Sequence, residues 1–206
     1  MERFSEAVLT AALLSEPPSG LGWNFNDLSD VLDADKLREA AVLVGLVPRE
    51  TGWHVLLTRR TEHMTSHAGQ VAFPGGRVDA NDQGHIAAAL RETAEEVGIS
   101  SSQIRPIGFL ERFATISNFI VTPVVAILSV DIRPMPQQSE VATIFEAPFE
   151  LFLDPLQRRT ESREYLGRVR STTVFQFGEH RIWGATASMM VNFVERLRAG
   201  SRSRLE

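Results

Sequence analysis

Three glutamates, Glu92, Glu95 and Glu96, stand in the run ALRETAEEVGI at spacings of three and four residues. If that run is helical, the carboxylates gather on one side of it, because residues three and four apart share a helix face. Like charges so placed repel, at about a few tenths of a kcal/mol per pair in an isolated helix. A hard divalent cation such as Mg²⁺ or Mn²⁺ removes the conflict, since oxygen ligands are the ones it prefers. Arg91 adjoins the group and can hold one carboxylate in a fixed rotamer through a two-pronged hydrogen bond. Upstream, Pro74, Gly75 and Gly76 make a turn in which backbone approaches the same point with no Cβ in the way. Asp79 and Asp82 add acids on the loop that enters the helix.

The elements that must position these residues follow from periodicity and punctuation. SEAVLTAALLSE has helical spacing and is stopped by Pro17 and Pro18. SDVLDADKLREA reads as a helix or helical turn leading into the buried strand AVLVGLVP. WHVLLTRR alternates as a second strand and GQVAF is a third, ended by Pro74 to Gly76. Residues 84–97 are helical in pattern, with Gly98 in the usual C-terminal position. IRPIGFLERFAT and FIVTPVVAILSV are read as two strands joined by a turn at Ser117-Asn118. EVATIFEAP is a short strand before a helix near 148–153. EYLGRVR, TTVFQF and HRIWG are strands, and a final helix covers about 185–198. This irregular mixture predicts α+β, a sheet between helices, and argues against a doubly wound nucleotide fold.

The bulk properties narrow the function classes. The chain of 206 residues suffices for one sizeable core, and its 43% hydrophobic and 23% charged residues are ordinary for a globular protein. A formal net charge of -5 argues against a nucleic-acid partner, whose phosphates call for a basic surface. There is no cysteine. Disulfides, thiolate nucleophiles and thiolate zinc sites are thereby excluded, and a reducing, cytoplasmic setting fits. The first residues lack the basic region of a signal peptide, and no apolar run reaches the roughly 20 residues of a membrane span.

The segment GQVAFPGGRVDANDQGHIAAALRETAEEVGI resembles the Nudix box. Gly76, Arg91, Glu92, Glu95, Glu96, Gly98 and Ile99 fill its pattern positions. Asp82 stands where the general pattern has Glu, eight residues rather than seven precede Arg91, and Thr93 replaces an apolar residue. A coenzyme A pyrophosphatase subfamily shares the extension and the aspartates. Its further signature is similar to LLTRRTEHMTSHAGQVAFPGG, 56–76, with Thr61 in place of Ser and Thr65 in place of Arg.

The resemblance implies a Nudix fold, a mixed β-sheet between α-helices, over residues 36–200. Residues 1–35 form a helical extension, packed on the domain or placed at a subunit interface, which leaves a homodimer open; residues 201–206 are expected to be a disordered tail. It also implies a metal-dependent hydrolase acting on a small diphosphate substrate such as coenzyme A, with 3′,5′-ADP and 4′-phosphopantetheine as products. ADP-ribose and dinucleoside polyphosphates are the alternatives, and a non-catalytic ligand-binding module is a third. By resemblance Glu92, Glu95, Glu96 and the Gly75 carbonyl hold Mg²⁺ or Mn²⁺, Arg91 orients Glu92, and Glu92 or Glu140 is the general base. Arg60, His67, Gln70, Gly76, Asp79 and Asp82 are the substrate-side residues.

Overall fold

The structure is a computed structural model that describes residues 4–64, 67–165 and 167–202. Thr65 and the last four residues of the expected tail lie outside the described residues.

A long hairpin starts the sheet. Strands β1 (Arg38–Arg49) and β2 (Gly52–Arg60) pair antiparallel only near their turn, at Leu46–Arg49 and Gly52–Val55. Beyond that they part, and the segment after the 61–70 loop fills the gap. β3 (Val71–Ala72) bonds to β2, and β4 (Gly75–Arg77) bonds to β1. Between them the Leu43 N–H donates to the Pro74 carbonyl at 2.8 Å. The turn expected at Pro74-Gly76 is thus a wedge of strand inside the sheet. Gly75 permits this approach: a Cβ there would meet the Ala41 carbonyl oxygen at 2.4 Å and the Val42 Cα at 2.6 Å.

The sheet is mixed, as expected. β5 (Ile104–Phe109), β6 (Phe113–Thr115), β7 (Phe119–Leu128) and β8 (Val141–Pro148) complete it. β7 runs parallel to β1, whereas β5 and β6 pair antiparallel with β7, and β8 pairs antiparallel with β2. Both faces are covered. Ala41, Leu43 and Val47 of β1 pack with Ala88, Ala89 and Val97 of helix α2 (His85–Val97). Ala40, Val44 and Leu46 face a larger cluster containing Met190 and Phe193 of helix α4 (Gly184–Arg202). The β1 alternation therefore places one hydrophobic set under each helical layer. The short helices α1 (Glu6–Ala11) and α3 (Glu150–Leu153) join the α4 side. A second sheet, β11-β10-β9, is built from β9 (Arg159–Tyr165), β10 (Arg168–Phe177) and β11 (His180–Trp183).

Five expected elements differ. The first helix ends at Ala11 rather than near Pro17, because Leu14 leaves to exchange both backbone hydrogen bonds with Phe109 at 2.9 Å. SDVLDADKLREA yields only a 3-10 turn at Ala34–Lys36, since the Arg38 N–H is already donating to Asn118 as β1 begins. IRPIGFLERFAT divides into β5 and β6. The Arg112 carbonyl between them accepts the Trp23 N–H, and Asn24 makes two hydrogen bonds to the Ala114 backbone at 2.8 Å. EYLGRVR is not one strand but straddles the β9–β10 turn, with Gly167 at φ +74°. α4 also continues to Arg202, into the stretch expected as tail.

Candidate active site

α2 carries the acids, and β4 runs beside it. Gly98 ends the helix in a left-handed conformation, as its place in the sequence predicts. Thr93, at the usually apolar position, is fully buried, and its hydroxyl is satisfied by the Ala89 carbonyl at 2.6 Å. Thus the helix keeps its packed face while the glutamates lie along the β4 side.

The three glutamates are not equivalent. The Glu96 side chain is only 6% exposed. Its Oε2 accepts the Gly75 N–H at 3.3 Å, and its Oε1 lies 3.7 Å from Nη1 of Arg60, an ion pair too long for a hydrogen bond. Burial pushes the Glu96 pKa up to about 7 against the pull of Arg60. Glu92 is part-buried, and desolvation raises its pKa while Arg91 opposes the shift. Glu92 sits directly over Gly76: a Cβ there would be 2.5 Å from its carboxyl carbon. Glu95 is 60% exposed and turned to Arg91 Nη1 at 3.3 Å. Among the described residues, no three acidic or histidine side chains already stand together as a metal cage. Glu92 and Glu96 face the β4 backbone, and Glu95 has to leave Arg91 to join them.

Arg91 spreads its donors more widely than expected. The two-pronged bond goes to Asp82, from Nε at 3.0 Å and Nη2 at 2.9 Å, and Glu92 receives one bond at 2.9 Å. The Arg77 carbonyl accepts another at 3.0 Å. Asp82 in turn accepts the Asp79 N–H at 2.8 Å, and Arg91 holds the Asp82 carboxyl below its usual range. Asp79 lies 3.7 Å from Arg91. The two loop aspartates, expected on the substrate side, are here members of a clamp that ties residues 77–82 to α2. The one-residue extension before Arg91 belongs to the loop this clamp closes.

Arg60 enters from the opposite strand. A register shift between Arg59 and Arg60 interrupts the β2–β8 ladder, and such bulges re-aim side chains. The Arg60 guanidinium stands between Glu96 and Glu140, whose Oε2 is 4.0 Å away, and its buried Nε has no hydrogen-bond partner among the described residues. Glu140 is half-exposed at the end of a loop bound to α2: Met135 and Gln137 donate backbone bonds to the Val97 and Glu96 carbonyls at 2.9 Å. His67 and Gln70 bond to each other at 3.0 Å and shape the 61–70 loop, with His67 at φ +57°.

The oxygen-rich donor set beside a backbone cradle fits a hard divalent cation better than a zinc-like ion. The NUDIX domain model matches residues 36–169, well over half of the chain. The chain belongs to the Nudix family. An uncharacterized Nudix hydrolase NudL of Enterobacter sp. (strain 638) is 40% identical over 153 residues, 74% of this chain and 79% of that protein. The uncharacterized NudL of Escherichia coli (strain K12 / DH10B) is 41% identical over 147 residues, covering 71% and 70%. A MutT/nudix family protein from Enterococcus faecalis superposes with a TM-score of 0.51 at 14% identity, over 85% of this chain and 68% of that one. That likeness bears on the Nudix fold alone. The matched Nudix span contains every residue of the acid site but ends inside β10, so β11 and α4 lie beyond it.

Proposed function

We propose that the chain is a divalent-metal-dependent hydrolase of coenzyme A or its derivatives, cutting the diphosphate to 3′,5′-ADP and 4′-phosphopantetheine or an acyl form of it. The observation that carries the hydrolytic reading is Glu96: a buried carboxylate with one backbone donor and no side-chain hydrogen bond. Arg60 at 3.7 Å compensates it only in part, so the group takes up a proton, as its pKa of about 7 records, unless a cation restores the charged form. Glu92, Glu95, Glu96 and the Gly75 carbonyl would hold Mg²⁺ or Mn²⁺. The bound ion supplies charge neutralisation of the phosphoryl oxygens and an acidified water.

The remaining work falls to the chain. Arg91 and the Asp82 clamp fix Glu92 in one rotamer, and placement dominates a phosphoryl transition state. The part-exposed end of the Arg60 guanidinium, between Glu96 and Glu140, can donate to a phosphoryl oxygen. Water attacks one phosphorus, the bond to the bridging oxygen breaks, and a proton passes to Glu92 or Glu140. Support for the coenzyme A substrate comes from the likeness of residues 56–76 to the coenzyme A pyrophosphatase signature.

The test is incubation of the full chain with Mn²⁺ and a panel of coenzyme A, ADP-ribose and dinucleoside polyphosphates, with products identified by mass spectrometry. 3′,5′-ADP from coenzyme A as the fastest product is the expected result. Turnover of another diphosphate with coenzyme A intact replaces the substrate and keeps the chemistry. No turnover of any diphosphate removes both.

A further inference from the structure

Glu140 belongs to neither the loop nor the helix that carries the other acids, yet its carboxylate lies 4.0 Å from Arg60 at the acid site. A short stretch before β8 puts it there. The run Arg133-Pro134-Met135-Pro136-Gln137 is stiffened by two prolines, each of which keeps the residue before it out of the helical region. The prolines bring no N–H. The two N–H groups that alternate with them are both used on α2: Met135 donates to the Val97 carbonyl and Gln137 to the Glu96 carbonyl, each at 2.9 Å. Carbonyls of a last helical turn have no partner within the helix. This tether therefore satisfies the end of α2 and takes its own position from the backbone of the buried Glu96.

Gln137 is the hub of the turn that follows. Its carbonyl accepts the N–H groups of Glu140 at 2.9 Å and Val141 at 2.8 Å, and its side-chain Oε1 accepts the Ser139 N–H at 3.2 Å. The N–H groups of three successive residues thus converge on this one residue. From the other side Thr61, just past β2, donates its N–H to the Glu140 carbonyl at 2.9 Å and its hydroxyl to the Ser139 carbonyl at 3.3 Å. The Glu140 backbone is held on both sides, while its half-exposed carboxylate accepts no hydrogen bond among the described residues. Glu92, by contrast, is engaged by Arg91 at 2.9 Å. A fixed backbone under an unengaged carboxylate is the arrangement a proton acceptor needs. The next residue, Gln138, is exposed and makes no side-chain hydrogen bond among the described residues.

We propose that Gln137 is a positioning residue for the hydrolysis, its side chain setting the shape of the turn that aims Glu140 at the attacking water. This rests on the hydrolase reading, with any diphosphate as substrate, and assigns the proton to Glu140 rather than Glu92. As the water oxygen bonds to phosphorus and the bond to the bridging oxygen breaks, the water proton passes to a Glu140 carboxylate oxygen. The bridging oxygen leaves with the electron pair. Gln137 touches neither substrate nor water. Loss of its side chain lets Glu140 drift, which lowers kcat and leaves KM in place.

The test measures kcat and KM with Mn²⁺ on coenzyme A, or on whichever diphosphate the full chain cleaves fastest, for the wild type, Q137A, Q137N, Q138A, E140Q and the double variant Q137A/E140Q. E140Q is expected to lower kcat about 100-fold and Q137A about tenfold, with KM and the thermal midpoint of Q137A near wild type. Q138A keeps full activity. Q137N recovers most of the loss, because an asparagine side chain bonds the N–H two residues on in an Asx turn. In the E140Q background Q137A costs nothing further, a coupling that a merely structural role does not produce. Full kcat in Q137A or in E140Q, or the same tenfold loss in both backgrounds, overturns the proposal. If no diphosphate is cleaved, the hydrolase reading fails by itself, and amide hydrogen exchange decides the tether. Faster exchange at Ser139 and Glu140 in Q137A than in Q138A keeps it, and equal exchange removes it.

Discussion

Apart from Glu140, the carboxylates of the acid site come from residues 79–96, one loop and one helix. A second charged region, the open cleft where β11 meets β3, takes Arg59, Arg163 and Arg181 from β2, β9 and β11, far apart along the chain. The acid site is partly desolvated, with Glu96 and Asp82 almost fully covered, whereas the Arg59, Arg163 and Arg181 side chains reach solvent. Charge in the first region acts at low effective dielectric, and in the second it is screened by water and salt. The same types of ionic contact should therefore matter very differently in the two places. Changes in the acid site should cost activity by orders of magnitude, and changes in the cleft should leave turnover near wild type.

The largest effect is expected at Glu96. E96Q keeps the volume and the acceptor for the Gly75 N–H but removes the charge that would hold a cation. Loss of several kcal/mol of transition-state stabilisation corresponds to a drop in kcat of about 10³-fold, read in a steady-state assay. A drop of less than about tenfold would erase the contrast between the regions.

Two neighbouring glycines sharpen it further. G75A drives a methyl group into β1 backbone, so it should destabilise the chain by about 3 kcal/mol or more, visible as a lower thermal midpoint. At G76A the atoms nearest the added methyl group all belong to the end of the Glu92 side chain. That variant should leave the fold near wild type while lowering kcat by about 10- to 100-fold through misplacement of that carboxylate. Equal melting of the two variants would break this separation.

pH gives a third, smaller effect. The folded Glu96 pKa of about 7 lies above its ordinary value of 4.5. The native state therefore holds a proton that the unfolded chain has lost across that window, and stability falls as pH rises through it. In metal-free protein the thermal midpoint should decline between about pH 5 and pH 8, and E96Q should flatten that decline. Glu92, shifted in the same direction, adds to the slope. An unchanged slope in E96Q would show that the carboxylate is hydrated. The smallest effect is on the cleft side: R163A should change stability by no more than about 0.5 kcal/mol, since Arg163 is exposed on an edge strand.

The same contrast explains what was legible in the sequence. α2, its closing Gly98 and the acids upstream could be read because a 3.6-residue period and a left-handed terminus are local properties. The partner of Arg91 was not: spacing along a helix puts Glu92 next to it, but the folding of residues 77–82 decides that Asp82 takes the two-pronged bond. Spacing likewise predicts three converging glutamates, while the Arg91 side chain draws Glu95 away. EYLGRVR reads as one strand although it spans the β9–β10 turn, and the rest of β9 goes unread, because β9, exposed and charged along most of its length, lacks the alternation that marks a half-buried strand. Trp183 is partly exposed beneath two guanidiniums, and only the packing of β11 beside β3 reveals the cleft it lines.

The central claim is that the acids beside β4 hold a Mg²⁺-like ion. Titration of the full chain with Mn²⁺, followed by the electron paramagnetic resonance signal of the free ion above neutral pH, tests it most directly. Wild type and R163E are expected to deplete free Mn²⁺ alike while E96Q and E92Q leave it in solution. Equal depletion by the wild type and both glutamine variants, or none by any of them, would contradict it.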